Sequence, residues 1–214
     1  MPDIDFARVF IAFIVLLFSL TVHETAHAWT ADRLGDPTAR LLGRVSLNPM
    51  VHADLIGTVV FPLIAMLGNV PLIGWAKPVP VNIGRLRRHR RDYVLVAAAG
   101  PVSNLALAVL ASIGLGALTV GPASLGESSV SAPLVALFSQ GMRINVLLAV
   151  FNMIPIPPLD GGNVLGGLLP GPIAMRYDAL IRPYGFILLY ALMLTRGFDY
   201  IVVPPARFLL SWLQ

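Results

Sequence analysis

The chain has 214 residues, 57% of them hydrophobic and only 12% charged, with a mean hydropathy of +0.79. These values exclude an ordinary soluble domain and point to an all-α membrane protein, a polytopic helical bundle of about four to six membrane segments. The net charge of +4 suits membrane topology, with no nucleic-acid partner expected. The lack of Cys leaves only N and O donors for any metal.

The first span is expected over 7–29. Its Val9 to Leu20 stretch carries no charge and runs into His23-Glu24-Thr25-Ala26-His27. Asp3 and Asp5 near the start speak against a basic leader segment. An ionisable group in lipid costs roughly 2.5 kcal/mol or more, so His and Glu in such a run are functional suspects. Histidines at i and i+4 share one helical face. There both can bind one Zn²⁺ while the glutamate activates a water.

A polar stretch over 31–54 carries the breakers Gly35-Asp36-Pro37 and Leu47-Asn48-Pro49. The next apolar segment, 55–73, contains Gly57, Pro62 and Gly68. Residues 74–82, reading GWAKPVPVN, are expected as a short extended or β segment, since its prolines exclude helix. This segment either captures a peptide by strand addition or is a plain irregular loop. The basic run Arg85 to Arg91 reads as a cytoplasmic anchor, with lipid or partner binding as the other reading.

A span over 93–120 holds Ala99-Gly100-Pro101-Val102-Ser103-Asn104, whose small residues permit close helix approach. A Gly- and Ser-rich connection over 121–133 leads to a span over 134–154, which breaks into Pro155-Ile156-Pro157-Pro158-Leu159-Asp160-Gly161-Gly162. A shorter last span covers 181–194, and 200–214 reads as an interfacial tail. The whole chain, 1–214, is expected to be one domain, with its core over 7–162 and the last span and tail over 176–214.

Lys77 to Arg91 contains six positive charges and 121–133 contains none, so the basic loop should face the cytoplasm. Asp160 then lies toward the cytoplasmic leaflet. If one metal joins it to His23 and His27, 55–73 must begin and end on that side. Its nineteen residues cannot cross twice, which predicts a re-entrant or interfacial element.

A third metal ligand has few candidates. Arg33 stands where a metzincin would carry its third histidine, and Glu127, the other glutamate, falls on the opposite side. His89 sits among cations. His52 and the aspartates remain, and Asp160 is best placed, at the end of a span between helix-breaking residues.

HETAH, AGPVSN and NMIPIPPLDGG occur in this order, and together they resemble the site-2 protease family of intramembrane zinc metalloproteases. Leu47-Asn48-Pro49, His52 and GWAKPVPVN are similar to features of its compact branch without PDZ or CBS domains. The resemblance implies His23, His27 and Asp160 as ligands of one Zn²⁺, and Glu24 as general base. It implies a multi-pass protein of the cell membrane that hydrolyses transmembrane segments of membrane-protein substrates. Asn152 would orient substrate or stabilise the oxyanion, or else satisfy backbone freed by Pro155. Asn104 would bond between helices or touch substrate. His52 would donate a proton near the site, or be a structural partner for Asp54 or a loop carbonyl. A divalent-metal transporter and an inactive membrane adaptor are the competing readings. Acidic groups gathered at one depth argue against the first, and Glu24 against the second.

Overall fold

The computed structural model describes residues 6–68, 75–119 and 131–214. The described residues are mostly helical. Helix α1 spans Phe6–Arg33 and α2 Thr38–Leu41, followed by a 3₁₀ turn at Pro49–Val51. A π-wound turn, Leu55–Val60, continues as α3, Phe61–Gly68. Then come α4 (His89–Thr119), α5 (Ser131–Asn152), α6 (Asp160–Leu168) and α7 (Gly171–Ile181). A 3₁₀ turn at Arg182–Tyr184 joins α7 to α8 (Gly185–Leu194), and α9 (Gly197–Ile201) and α10 (Val203–Leu213) end the chain.

Among the described residues, four helical stretches are long and apolar enough to cross a membrane: Phe6–Arg33, His89–Thr119, Ser131–Asn152 and Gly171–Leu194. At 1.5 Å per residue the shortest reaches about 33 Å, enough for the hydrocarbon core. The last one starts ten residues before its expected beginning. Within it Arg182 pairs with Asp178 one turn earlier, at 2.9 Å, which adds a small local stabilisation.

Lipid explains the outer faces and packing the inner ones. On α1, Phe10, Ile14 and Phe18 are exposed while Val15, Leu16 and Leu20 are buried against Ile144 of α5 and Ala76. Helix α4 lies at the centre, in contact with α1, α5 and α6. In the tail, α10 lies on the bundle, with Ala206 against Ala108 and Val146. Three small side chains meet there, which lets the backbones approach.

Residues 55–68 are continuously helical and reach about 21 Å, short of a full crossing. Asp54 caps this helix by accepting from Ile56 and Gly57 N–H. Trp75 returns to the same end: its N–H donates to Gly57 O at 3.0 Å, and its carbonyl accepts from Thr58 Oγ1 at 2.8 Å. The two ends of 55–75 therefore lie together, as a re-entrant element requires. Residues 69–74 fall outside the described part.

Residues 75–82 form no ladder among the described residues. The N–H groups of Trp75, Lys77 and Val79 nevertheless bond to Gly57 O, His52 O and Glu24 Oε2. Every second residue turns the same way, as in an extended chain. Its far end is tied by Asp36, which accepts from Asn82 N–H at 2.6 Å.

Candidate active site and metal centre

His23, Glu24 and His27 are carried by the last three turns of α1 and are all buried. Asp160 is the first residue of α6, and its side chain is 14% exposed. It reaches the histidines because the chain doubles back tightly after α5. A Cβ on Gly161 would stand 2.2 Å from Met153 O, and one on Gly162 2.3 Å from Pro157 N. Only glycine permits that fold-back.

His23 Nε2 lies 3.1 Å from Asp160 Oδ2, His27 Nε2 3.4 Å from Asp160 Oδ1, and the two Nε2 atoms are 3.0 Å apart. A tetrahedral ion with bonds of about 2.0 Å sets its ligands about 3.3 Å apart, so these donors fit zinc.

Hydrogen bonding fixes what each imidazole presents. His27 Nδ1 lies 2.7 Å from Val96 O, a pure acceptor, so Nδ1 carries the proton and Nε2 the lone pair. For His23 the same follows in three steps. Asn145 Nδ2 donates to Gly141 O at 2.8 Å, so Asn145 Oδ1 faces Asn104 Nδ2, also at 2.8 Å. Asn104 then turns its Oδ1 to His23 Nδ1, at 2.6 Å, and Nδ1 must donate. With both rings neutral, the two Nε2 lone pairs and the carboxylate face one point. Asp160 Oδ2 is buried there without a hydrogen-bond donor. A cation at that point would pair all three donors.

Gly100 of α4 forms the wall of this cradle. A Cβ there would lie 2.4 Å from His27 Nε2 and 2.6 Å from His23 Nε2. Glu24, between the two ligands in sequence, accepts from Val79 N–H through Oε2 at 3.1 Å. No described residue donates to its Oε1.

The family model for Peptidase family M50 matches residues 11–192. The chain belongs to this family. It is 39% identical over 89% of its length to a Bacillus subtilis protein named "Putative zinc metalloprotease YwhC", of which it covers 83%. It is 33% and 32% identical to proteins named "Putative zinc metalloprotease Rip2" from Mycolicibacterium smegmatis and Mycobacterium tuberculosis. Those matches cover 84% and 88% of this chain, and 64% and 69% of the relatives. No solved structure gives a significant match. The chain is a zinc metalloprotease and a multi-pass membrane protein, and His23, His27 and Asp160 form a group that could hold the metal.

The remaining residues singled out from the sequence sit as follows. Asn104 is fully buried, and both ends of its amide are engaged, by His23 and by Asn145. Asn152 is half-buried and donates to Leu148 O of its own helix at 3.0 Å. His52 is 1% exposed, and its Nε2 meets Ser46 O at 2.8 Å. Thr25, next to Glu24, also donates to Ser46 O, at 2.6 Å. Two residues were missed: Asn145, legible only as a polar residue inside a span, and Gly100, hidden within AGPVSN.

Proposed function

We propose that this M50 metalloprotease is an intramembrane endopeptidase of the cell membrane that cuts transmembrane segments of other membrane proteins. Its site opens toward the cytoplasmic leaflet. The observation that carries this reading is the convergence of His23, His27 and Asp160 at the buried end of a membrane-length helix, with Glu24 between the histidines. The orientation rests on the exposed cations of the basic run Arg85 to Arg91, which leads into the first turn of α4.

Zinc, when held by His23, His27 and Asp160, supplies Lewis acidity that polarises a peptide carbonyl and acidifies water. Glu24 acts as the general base. Val79 N–H fixes its Oε2, and Oε1 is left to take a proton from the attacking water and return it to the leaving amine. Asn104 holds His23 through Nδ1 and Val96 O holds His27, so neither ring turns during turnover.

A substrate helix must unwind before its carbonyls are reachable, and 75–82 offers it a place. The backbone N–H groups of Trp75, Lys77 and Val79 turn inward, so the backbone of Ala76, Pro78 and Pro80 forms the opposite edge. Proline has no N–H, so at 78 and 80 this edge accepts and cannot donate. A captured strand would donate its own N–H groups there. Asn152, eight residues before Asp160, is the candidate contact for the substrate's far side, and His52 braces the loop that carries Lys77.

The test uses purified protein in proteoliposomes with a tagged transmembrane substrate. Zinc-dependent cleavage that vanishes in Glu24→Gln while metal stays bound supports the reading. Metal flux across the vesicle without cleavage would replace it with a transporter.

A further inference from the structure

Arg143 is the one exposed residue between Leu134 and Asn152. It lies on α5, twelve residues after Ser131 and nine before Asn152. At 1.5 Å per residue these distances are about 18 Å and 14 Å, so the guanidinium leaves the helix near mid-membrane. Toward lipid the other spans expose Phe10 and Phe18 on α1, Leu110 and Ile113 on α4, and Phe186 and Ile187 on α8, and the exposed charges Asp178 and Arg182 of the last span pair with one another. On α5 the corresponding place is taken by a cation. Among the described residues it has neither a hydrogen bond nor an ion pair. Snorkelling relieves cations near helix ends, and Arg143 is not near one.

Ala136, Gln140, Arg143 and Leu147 recur at i, i+4, i+7 and i+11, one stripe of the helix. Gln140 likewise has no side-chain partner among the described residues. On one flank Ile144 packs against Leu16 and Ala76, and on the other Val146 packs against α10. The stripe is therefore the floor between α1 and α10. It adjoins Ala76, three residues from the Val79 N–H that holds Glu24.

We propose that this stripe receives a transmembrane helix of a protein substrate carrying Asp or Glu at the depth of Arg143. The inference rests on the intramembrane reading above and names its substrate class. A guanidinium and a carboxylate, each costly alone in lipid, satisfy one another in a bidentate pair. Gln140, one turn away, offers the same ligand a further hydrogen bond, while Ala136 and Leu147 supply packing. A helix with only apolar residues leaves Arg143 unpaired.

The experiment uses full-length, zinc-loaded Glu24→Gln protein in nanodiscs and synthetic Leu/Ala transmembrane peptides. The peptides differ at one position, which bears Asp, Asn or Leu at a series of depths. Binding is read by energy transfer between labels. The Asp peptide should bind about tenfold more tightly than the Leu peptide at one depth. That ratio should fall toward one in Arg143→Met, and Arg143→Glu should prefer a Lys peptide instead. Equal binding of Asp, Asn and Leu peptides at every depth overturns the proposal, and needs no variant to fold. An Arg143 effect that follows the fraction of anionic lipid overturns it in favour of a headgroup anchor. Self-association lost in Arg143→Met overturns it in favour of a second copy. The same peptides are offered to wild-type enzyme for cleavage. Equal cleavage of acidic and neutral peptides sinks the docking inference and leaves proteolysis standing. Preferential binding with no cleavage of either does the reverse.

Discussion

Asn104 Oδ1 accepts the Nδ1–H of His23 at 2.6 Å, and this bond between α4 and α1 determines which nitrogen the histidine turns to the metal. Asn104 is itself oriented by Asn145, so three helices set one tautomer. Replacing Asn104 by Leu removes the acceptor and frees the ring. Zinc affinity should fall about 10- to 100-fold, read by competition with a chelating dye. Unchanged affinity would mean that His23 is held by packing alone.

Gly100 tests the cradle by volume. In Gly100→Ala the methyl would sit 2.4–2.6 Å from the ligand nitrogens, and the backbone of α4 has little room to retreat. Zinc content, measured by mass spectrometry of the purified protein, should drop from about one per chain to well below half. Gly116→Ala on the same helix meets nothing within 4 Å and should keep its metal.

Val79→Pro removes the N–H that holds Glu24 while leaving a backbone that suits 75–82. Loss of a charge-assisted hydrogen bond of about 1.5 kcal/mol predicts a kcat roughly tenfold lower. Zinc should stay bound. A matching loss of metal would show instead that the loop supports the ligands.

Asp36 lies outside the spans and couples the end of α1 to 75–82. Burial raises its carboxyl pKa, but the Thr38 hydroxyl, the N–H groups of Asn82 and Thr38, and the charge of Arg85 outweigh burial and hold it below the usual 3.8. A carboxyl depressed on folding stabilises the protein above its unfolded pKa, and that contribution is lost as pH falls through the lower, folded value. Wild type should lose thermal stability below about pH 4. Asp36→Asn, already weaker at pH 7, should show a flatter acid limb in the same melting series.

Chelation gives a final check. Removing zinc takes away a ligand bound only by the native state, worth about 2.7 kcal/mol at a hundredfold excess over Kd. Chelator should lower the melting temperature and abolish cleavage together, and added zinc should restore both. Glu24→Gln should show the same thermal shift without the activity.

Much of this protein could be read residue by residue. Charge-free runs marked the spans because lipid tolerates little else, and His23 and His27 had to share a face because the helix repeats every 3.6 residues. Asp160 was reachable by elimination, since few acids lay on the right side. Asn152 and Asn104 showed no such signal: an amide in a span can face a ligand, a neighbour or its own helix, and only position separates these.

By itself the sequence determined a membrane bundle, a two-histidine face with Glu24 beside it, and a break before Asp160. These follow from local properties: hydropathy, helical period and the conformations that Pro and Gly permit. Only the tertiary structure decided that Asp160 meets both imidazoles, that Gly100 leaves room for an ion, and that Asn145 acts on His23 through Asn104. It alone also laid α10 against the core and left Arg143 facing outward. Each of these depends on how closely distant segments approach and which atoms fill the space between them, and no local pattern encodes that.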